Sequence, residues 1–477
     1  MNVVFRYKEQ LLVTFLVLIA FVVRLYKINN PVADWHSWRQ ADTASVTHEY
    51  VMRGIDLLHP RYHDLSNIPS GKDNLEGWRM VEFPMVNALT AFIIRSANLV
   101  KQEVVVGRIV SIVFSFITLL CIYLLGKRIS GVRVGFFAAL LFAILPFSVY
   151  YSRVILPEPA LLAFVTLSLV GFHEWIFSEK NIWFLVSLIP FALALLLKPF
   201  AIFYAPMFLG ILIMRRQKFL LNVAKTGTLF ILAAIPFLLW RSWIAQFPSG
   251  IPASDWLFNN NNIRFSGAFF HWLFEVRIST MILGIGGLVF AVLGLMKKGR
   301  DWVVYALGAF GMFAYLSIIA GGNVQHDYYQ VFLLPFLVLT MARGVEFFIE
   351  LTPKFISPLA LLPTIGGLVG FSLFVSWYNI RGYYNINHPE LMMAGEAVDR
   401  LLPKDAKIIA PYMGDTAFLF QTRRTGWPIG FSIDEKIKLG AQYYVTVNYD
   451  DEANALLKQY PVVEKNDRFL ILKLQGN

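Results

Sequence analysis

Nine side chains in this sequence have the type and setting to do chemistry. Three are acids: Asp42, in the run His36-Ser-Trp-Arg-Gln-Ala-Asp-Thr-Ala44, Glu82, in Val81-Glu-Phe-Pro84, and Glu158, between Pro157 and Pro159. Four are cations, Arg39, Arg153, Lys198 and Arg241, and two are the ring side chains His326 and Tyr329. A fixed carboxylate can take a proton from an attacking hydroxyl or amine. Fixed cations can stabilise charge that grows on a departing oxyanion such as a phosphate.

Each of these residues also has a plainer reading. Helical spacing puts Trp35, Trp38 and Asp42 on nearly one face, with Arg39 one turn before Asp42, so a solvated helix with an i,i+3 ion pair would explain the motif. Pro84 suits the first turn of a helix over the apolar run from Met85 to Ile94, and Glu82 would then compensate its dipole. Glu158 could pair with Arg153. Lys198 and Arg241 could be snorkelling anchors rather than a phosphate cradle. Glu82, Glu158 and His326 could hold a divalent ion if they converge, but no spacing requires it. The expectation is a site with no obligatory cofactor or metal.

The elements that must position these residues are membrane helices. Of 477 residues 57% are hydrophobic and 15% charged, too few charges to cover a soluble surface. The same numbers exclude disorder, and the single Cys121 excludes a disulfide-stapled fold. The net charge of +11 belongs mostly to short connectors, so it reads as a topology signal and not as a nucleic-acid footprint. Apolar runs near 10–26, 104–125, 131–150, 157–177, 182–197, 199–214, 219–241, 277–296, 302–320, 328–349 and 356–378 predict about 11 transmembrane helices. Basic connectors at Lys127, Arg128 and Arg133, at Arg215, Arg216 and Lys218, and at Lys297, Lys298 and Arg300 fall on one side if the spans alternate. The positive-inside rule then puts the N-terminus in the cytoplasm and the C-terminus outside. The first span reads as a retained anchor, because Arg24 to Lys27 follow it where a cleavage site would need small residues.

The fold class expected is therefore a polytopic α-helical membrane protein with a transmembrane module over 1–387. A large first extracytoplasmic loop, 27–103, carries juxtamembrane helices, and a small α/β domain over 388–477 lies on the same side. In that domain Leu391, Ala394, Val398 and Leu401 form a helical stripe. Strands are expected at 407–411, 442–448 and 469–474, and Ser432 with Glu435 forms a capping box closed by Gly440. The loop 242–276, with Trp243, Trp256 and Trp272, reads as an interfacial segment.

Three acids and several cations on the outer face suit transfer of a sugar from a lipid phosphate. They also leave open a secondary transporter, although no internal repeat is evident, and an O-antigen polymerase or ligase. The motifs Arg39-Gln-Ala-Asp-Thr43, Glu82-Phe-Pro84, Gly126-Lys-Arg128 and Arg153 to Glu158, with His326-Asp-Tyr-Tyr329 and Pro335 later, resemble the glycosyltransferase C (GT-C) superfamily. Within it the chain looks most like the protein O-mannosyltransferases and the bacterial aminoarabinose transferases. That resemblance implies an inverting transfer from a polyprenyl-phosphate sugar to a lipid, polysaccharide or protein acceptor, in a bacterial inner membrane and without nucleic acid. It implies Asp42 as base, Glu158 as its assistant or acceptor guide and Glu82 as organiser of the pocket. Lys198, Arg241 and Arg153 would then meet the donor phosphate, and Arg39, His326 and Tyr329 would line the substrate pocket.

Overall fold

The computed structural model describes residues 2–215, 217–351 and 357–475. Arg216 and residue 356, the start of the last expected span, lie outside them. The contacts divide the chain into two compact units, one of residues 1–26, 109–240 and 254–381, the other of 27–108, 241–253 and 382–477.

The first unit is helical. Among the described residues five helices are long and apolar enough to cross a membrane unaided: Val100–Ile129, Glu158–Ser178, Phe219–Ile244, Asp327–Leu351 and Leu359–Tyr384, the first, third and last of which run past this unit's edge. Shorter apolar helices include Val132–Ile144, Ile182–Leu197, Pro199–Arg215 and Trp302–Ile318. The expected run 277–296 is not one straight rod: Gly267–Ile282 and Gly286–Met296 meet at 109°. Gly284 sits at the break with φ +63, and a Cβ there would lie 1.8 Å from the carbonyl oxygen of Ser372. Only glycine allows that approach. The run 131–150 also breaks, at Leu145, because Pro146 cannot continue the preceding helix. The carbonyls freed there are met by buried Arg24, whose guanidinium donates to Ala143 O at 2.9 Å and Phe142 O at 3.1 Å. Arg24, which argued against cleavage in the sequence, is thus a structural clamp for the first helix.

Close helix pairing rests on small residues. A Cβ on Gly294 would meet Thr340 O at 2.0 Å, and one on Gly344 would meet Phe290 O at 1.7 Å. Helices Gly286–Met296 and Leu334–Leu351 therefore pack backbone to backbone, as lipid-embedded helices do where apolar burial gives no drive.

The second unit combines helices Ser37–Arg53 and Met85–Ser96 of the first loop with a five-stranded sheet. Its strands are β1 Ile408–Ile409, β2 Gly426–Trp427, β3 Tyr443–Thr446, β4 Val462–Lys465 and β5 Leu470–Lys473, in the order β2-β1-β3-β5-β4. β1 pairs parallel with β2 and β3, and β5 antiparallel with β3 and β4. The loop covers the β2 edge: Leu65 N donates to Gly426 O at 2.8 Å and Gly426 N to His63 O at 2.9 Å. Leu391, Ala394 and Val398 are buried as their stripe predicts. The expected capping box is not formed. Ser432 is left-handed, φ 47, and makes no side-chain cap, so the Glu435 amide is met by the Ser432 carbonyl instead. Gly440, φ +103, follows the helix as expected.

Candidate active site

In the membrane unit the broken backbone gathers charge. Glu158 opens helix Glu158–Ser178, held there by Pro157 and Pro159, where the helix dipole favours an anion. It is 3% exposed. Its Oε1 accepts from Lys198 Nζ, which projects from the extended residue between Leu197 and Pro199. Its Oε2 is buried with no hydrogen-bond partner among the described residues. Lys198 Nζ also lies over the rings of Tyr329 at 5.1 Å and Tyr328 at 5.4 Å. His326 stacks on Tyr328 at 5.5 Å and Tyr329 at 6.4 Å. Glu158, Lys198, His326 and Tyr329, far apart in sequence, are thus brought together. The pairing of Glu158 is with Lys198, and Arg153, buried, lies over the ring of Tyr150 at 5.4 Å.

Two partners in this cluster escaped the sequence reading. Fully buried Asp327 accepts from the Tyr151 hydroxyl and pairs with Arg277 at 3.2 Å. Arg277 lies over Trp272 at 5.0 Å, and its Nε is buried without a partner among the described residues. It sits on a wide-turned stretch, His271–Ile282, that ends with Leu283 N donating to Ile278 O, five residues back. Such turns recur at functional sites. Hydropathy places this segment at the junction of an interfacial loop and a span, a setting in which Arg277 does not stand out. Its signal was a lone arginine within an apolar run.

The second unit holds Asp42, Arg39, Glu82 and Arg241. Asp42 is 5% exposed on helix Ser37–Arg53. Its Oδ1 accepts from Thr416 Oγ1 at 2.7 Å and its Oδ2 pairs with Arg79 at 2.9 Å. Arg39 pairs with Glu82 and donates to Thr43 Oγ1. The i,i+3 ion pair is thus replaced by two long-range pairs, Asp42 with Arg79 and Arg39 with Glu82, because the helix is buried rather than solvated. Glu82 lies beside the helix that starts at Met85, as expected. Arg241 is exposed in the last turn of Phe219–Ile244 and makes no ion pair among the described residues. Arg79 and Thr416 were not singled out in the sequence; an arginine in a loop and a threonine 374 residues away carry no local signature.

The charge on Asp42 is felt by its neighbours. Asp64 is pushed up to about 6 by burial, with Asp42 adding and the Ser66 hydrogen bonds opposing. Asp415 is pushed up to about 6 by burial, opposed by the Ala417 amide and aided by Asp42. Among the described residues no group of three or more His, Cys, Asp or Glu side chains is arranged to hold a metal. The three possible ligands Glu82, Glu158 and His326 divide between the two units.

A family model described as dolichyl-phosphate-mannose-protein mannosyltransferase matches residues 84–240. No curated protein matches the chain. Among solved structures the chain is similar to ArnT from Cupriavidus metallidurans in the apo state, at 13% identity and a TM-score of 0.68, with 97% of each chain covered. It is similar to the same protein bound to undecaprenyl phosphate at 13% identity and a TM-score of 0.67, again over 97% of each chain. Archaeal oligosaccharyltransferase AglB from Archaeoglobus fulgidus, in complex with an inhibitory peptide and a dolichol-phosphate, matches at 12% identity and a TM-score of 0.54, over 92% of this chain and 69% of that one. The chain is a multi-pass membrane protein that shares its fold with ArnT, the fold its motifs led us to expect.

Proposed function

We propose that this protein transfers a sugar from a polyprenyl-phosphate donor to an acceptor on the outer side of a bacterial inner membrane, with inversion at the anomeric carbon. The observation that carries this reading is the buried Glu158–Lys198 pair, whose second carboxylate oxygen has no hydrogen-bond partner among the described residues, in a fold shared with ArnT, which was solved with undecaprenyl phosphate.

Asp42, oriented by Arg79 and Thr416, acts as base. It takes the proton from the acceptor hydroxyl or amine as that atom attacks the anomeric carbon. The bond from that carbon to the phosphate oxygen breaks on the opposite face, and its electron pair leaves with the polyprenyl phosphate. Lys198 and Arg277 stabilise the charge that grows there. Glu158 positions Lys198. Tyr329, His326 and Arg153 shape the donor site, Arg39 and Glu82 hold the loop that carries Asp42, and exposed Arg241 steers the anionic headgroup. The fixed cations carry the leaving charge, so a divalent ion is not required. The acceptor is a lipid, polysaccharide or protein; the N-terminus is cytoplasmic, the C-terminus is outside, and about 11 helices span the bilayer when the shorter apolar helices are counted.

Removing a donor-phosphate cation should raise the donor concentration needed. Lys198→Ala and Arg277→Ala are each expected to raise the donor KM by about tenfold or more, an effect of at least about 1.4 kcal/mol, with wild-type rates retained in EDTA. Unchanged donor kinetics in both variants would remove the phosphate assignment, and loss of the wild-type rate in EDTA would restore a metal to the mechanism.

A further inference from the structure

Within the unit that carries Asp42 lies a cavity of 250 Å³ whose walls include Trp35, His36, Trp38, His388, Tyr412 and Asp415. Among the described residues no lysine or arginine lines it. A phosphate or other anionic group needs such cations, so this is no place for the donor headgroup. What it offers is aromatic surface and uncharged or acidic hydrogen-bonding groups, with Asn385 and Asn387 beside Asp415.

The walls are braced. Trp35 is 42% exposed, yet its ring stacks on Tyr383 at 4.7 Å and 15° and its amide donates to Tyr383 O at 3.0 Å. The Tyr412 ring stands edge-on to His388 at 5.9 Å. His36 is left-handed, φ 55 and ψ 38, a backbone state that non-glycine residues keep only where the surroundings enforce it and that clusters at ligand clamps. Two links join the cavity to Asp42. Trp38 precedes Asp42 by one turn on the same helix. Thr416, next to Asp415, donates to both Asp42 Oδ1 at 2.7 Å and Trp38 O at 3.1 Å.

We propose that this cavity is an acceptor subsite that takes an uncharged, hydroxyl-rich ring, namely a sugar residue of a saccharide acceptor. Aromatic faces meet the C–H face of a pyranose, while carboxylate and amide oxygens accept from its hydroxyls. A peptide would instead need a row of backbone partners, whereas these walls come from three separate stretches of chain, 33–38, 382–391 and 412–415. The inference rests on the transferase reading for the word acceptor, but its test does not use the donor.

The test is ligand-observed saturation-transfer NMR on the full-length protein in detergent, with methyl glycosides of glucose, galactose, mannose and N-acetylglucosamine as probes. Inorganic phosphate and triglycine, followed by competition, are the comparison arms. At least one glycoside should bind saturably, Tyr412→Ala should weaken it tenfold or more, and phosphate and triglycine should not displace it. Asp415→Asn, whose side chain can keep the contact to the Ala417 amide, should weaken it as well and serves if Tyr412→Ala does not fold. The proposal is overturned if no glycoside saturates, if triglycine or phosphate displaces the bound glycoside, or if folded variants bind like wild type. Glycoside binding by a protein that performs no sugar transfer would uphold the cavity and refute the transferase; transfer without glycoside binding would do the reverse.

Discussion

Asp42, Glu158 and Asp327 are each buried and each has a cationic partner, Arg79, Lys198 and Arg277. Burying a pair rarely gains stability over an apolar packing, and removing one partner strands the other. Pairs retained under that cost argue for use. Asp64 is different: it makes no ion pair among the described residues, and burial raises its carboxyl to about 6 against the opposing Ser66 hydrogen bonds and the more distant Arg79 charge. A raised folded-state value means that the folded protein keeps a proton the unfolded chain has already lost between about pH 4 and 6. Stability from this group therefore falls as pH rises through that window, and the penalty is complete above it. Asp64→Asn keeps an acceptor for the Ser66 amide and should be more stable than wild type at pH 7.5, on the order of 1–3 kcal/mol, and near parity at pH 4. Melting curves of both proteins at the two pH values check this; an offset that does not change with pH would contradict it.

At the scale of elements, the charged cluster around Glu158 and Lys198 depends on places where regular structure stops. Lys198 projects from an extended residue before Pro199, Arg277 from a wide-turned stretch, and Asp327–Leu333 forms a tight turn that enters the next helix. Irregular backbone at membrane depth is tolerated where protein buries it. The frame around it is rigid because of backbone contacts such as those at Gly294 and Gly344. Gly344→Ala should force the two helices apart and lower Tm by about 5 °C or more. Gly370→Ala, where no atom of the described residues lies within 4 Å of the added carbon, should leave Tm unchanged or slightly raised. Equal effects of the two would show that the close approach does not support the fold. The helix starts at Met85, Glu158 and Ile182 were legible because proline, polar residues and hydropathy mark them locally. The 109° bend at 283–285 was not, because Gly284 is required by Ser372, nearly 90 residues away. The Ser432 cap failed for a related reason: the motif fixes residue types but not the backbone angle that tertiary contacts impose.

For the whole molecule, hydropathy and motif order sufficed to point to the fold shared with ArnT, since both survive sequence divergence that leaves 13% identity to it. The partners of the site residues were illegible, because Arg79, Thr416 and Arg277 acquire meaning only from chain segments that folding brings near. The transporter and polymerase alternatives gain nothing from ArnT or the archaeal oligosaccharyltransferase, two of the solved structures that share the fold. The central claim is that Asp42 and the Glu158–Lys198 pair serve one sugar transfer. It is tested most directly by incubating membranes that contain wild type or Asp42→Asn with a panel of radiolabelled polyprenyl-phosphate sugars and following the label into product. Wild type should transfer label from at least one donor, and Asp42→Asn, present in equal amount and equally folded, should be slower by about 10² or more. Undiminished transfer by Asp42→Asn would contradict the account, as would a wild type that leaves every donor intact.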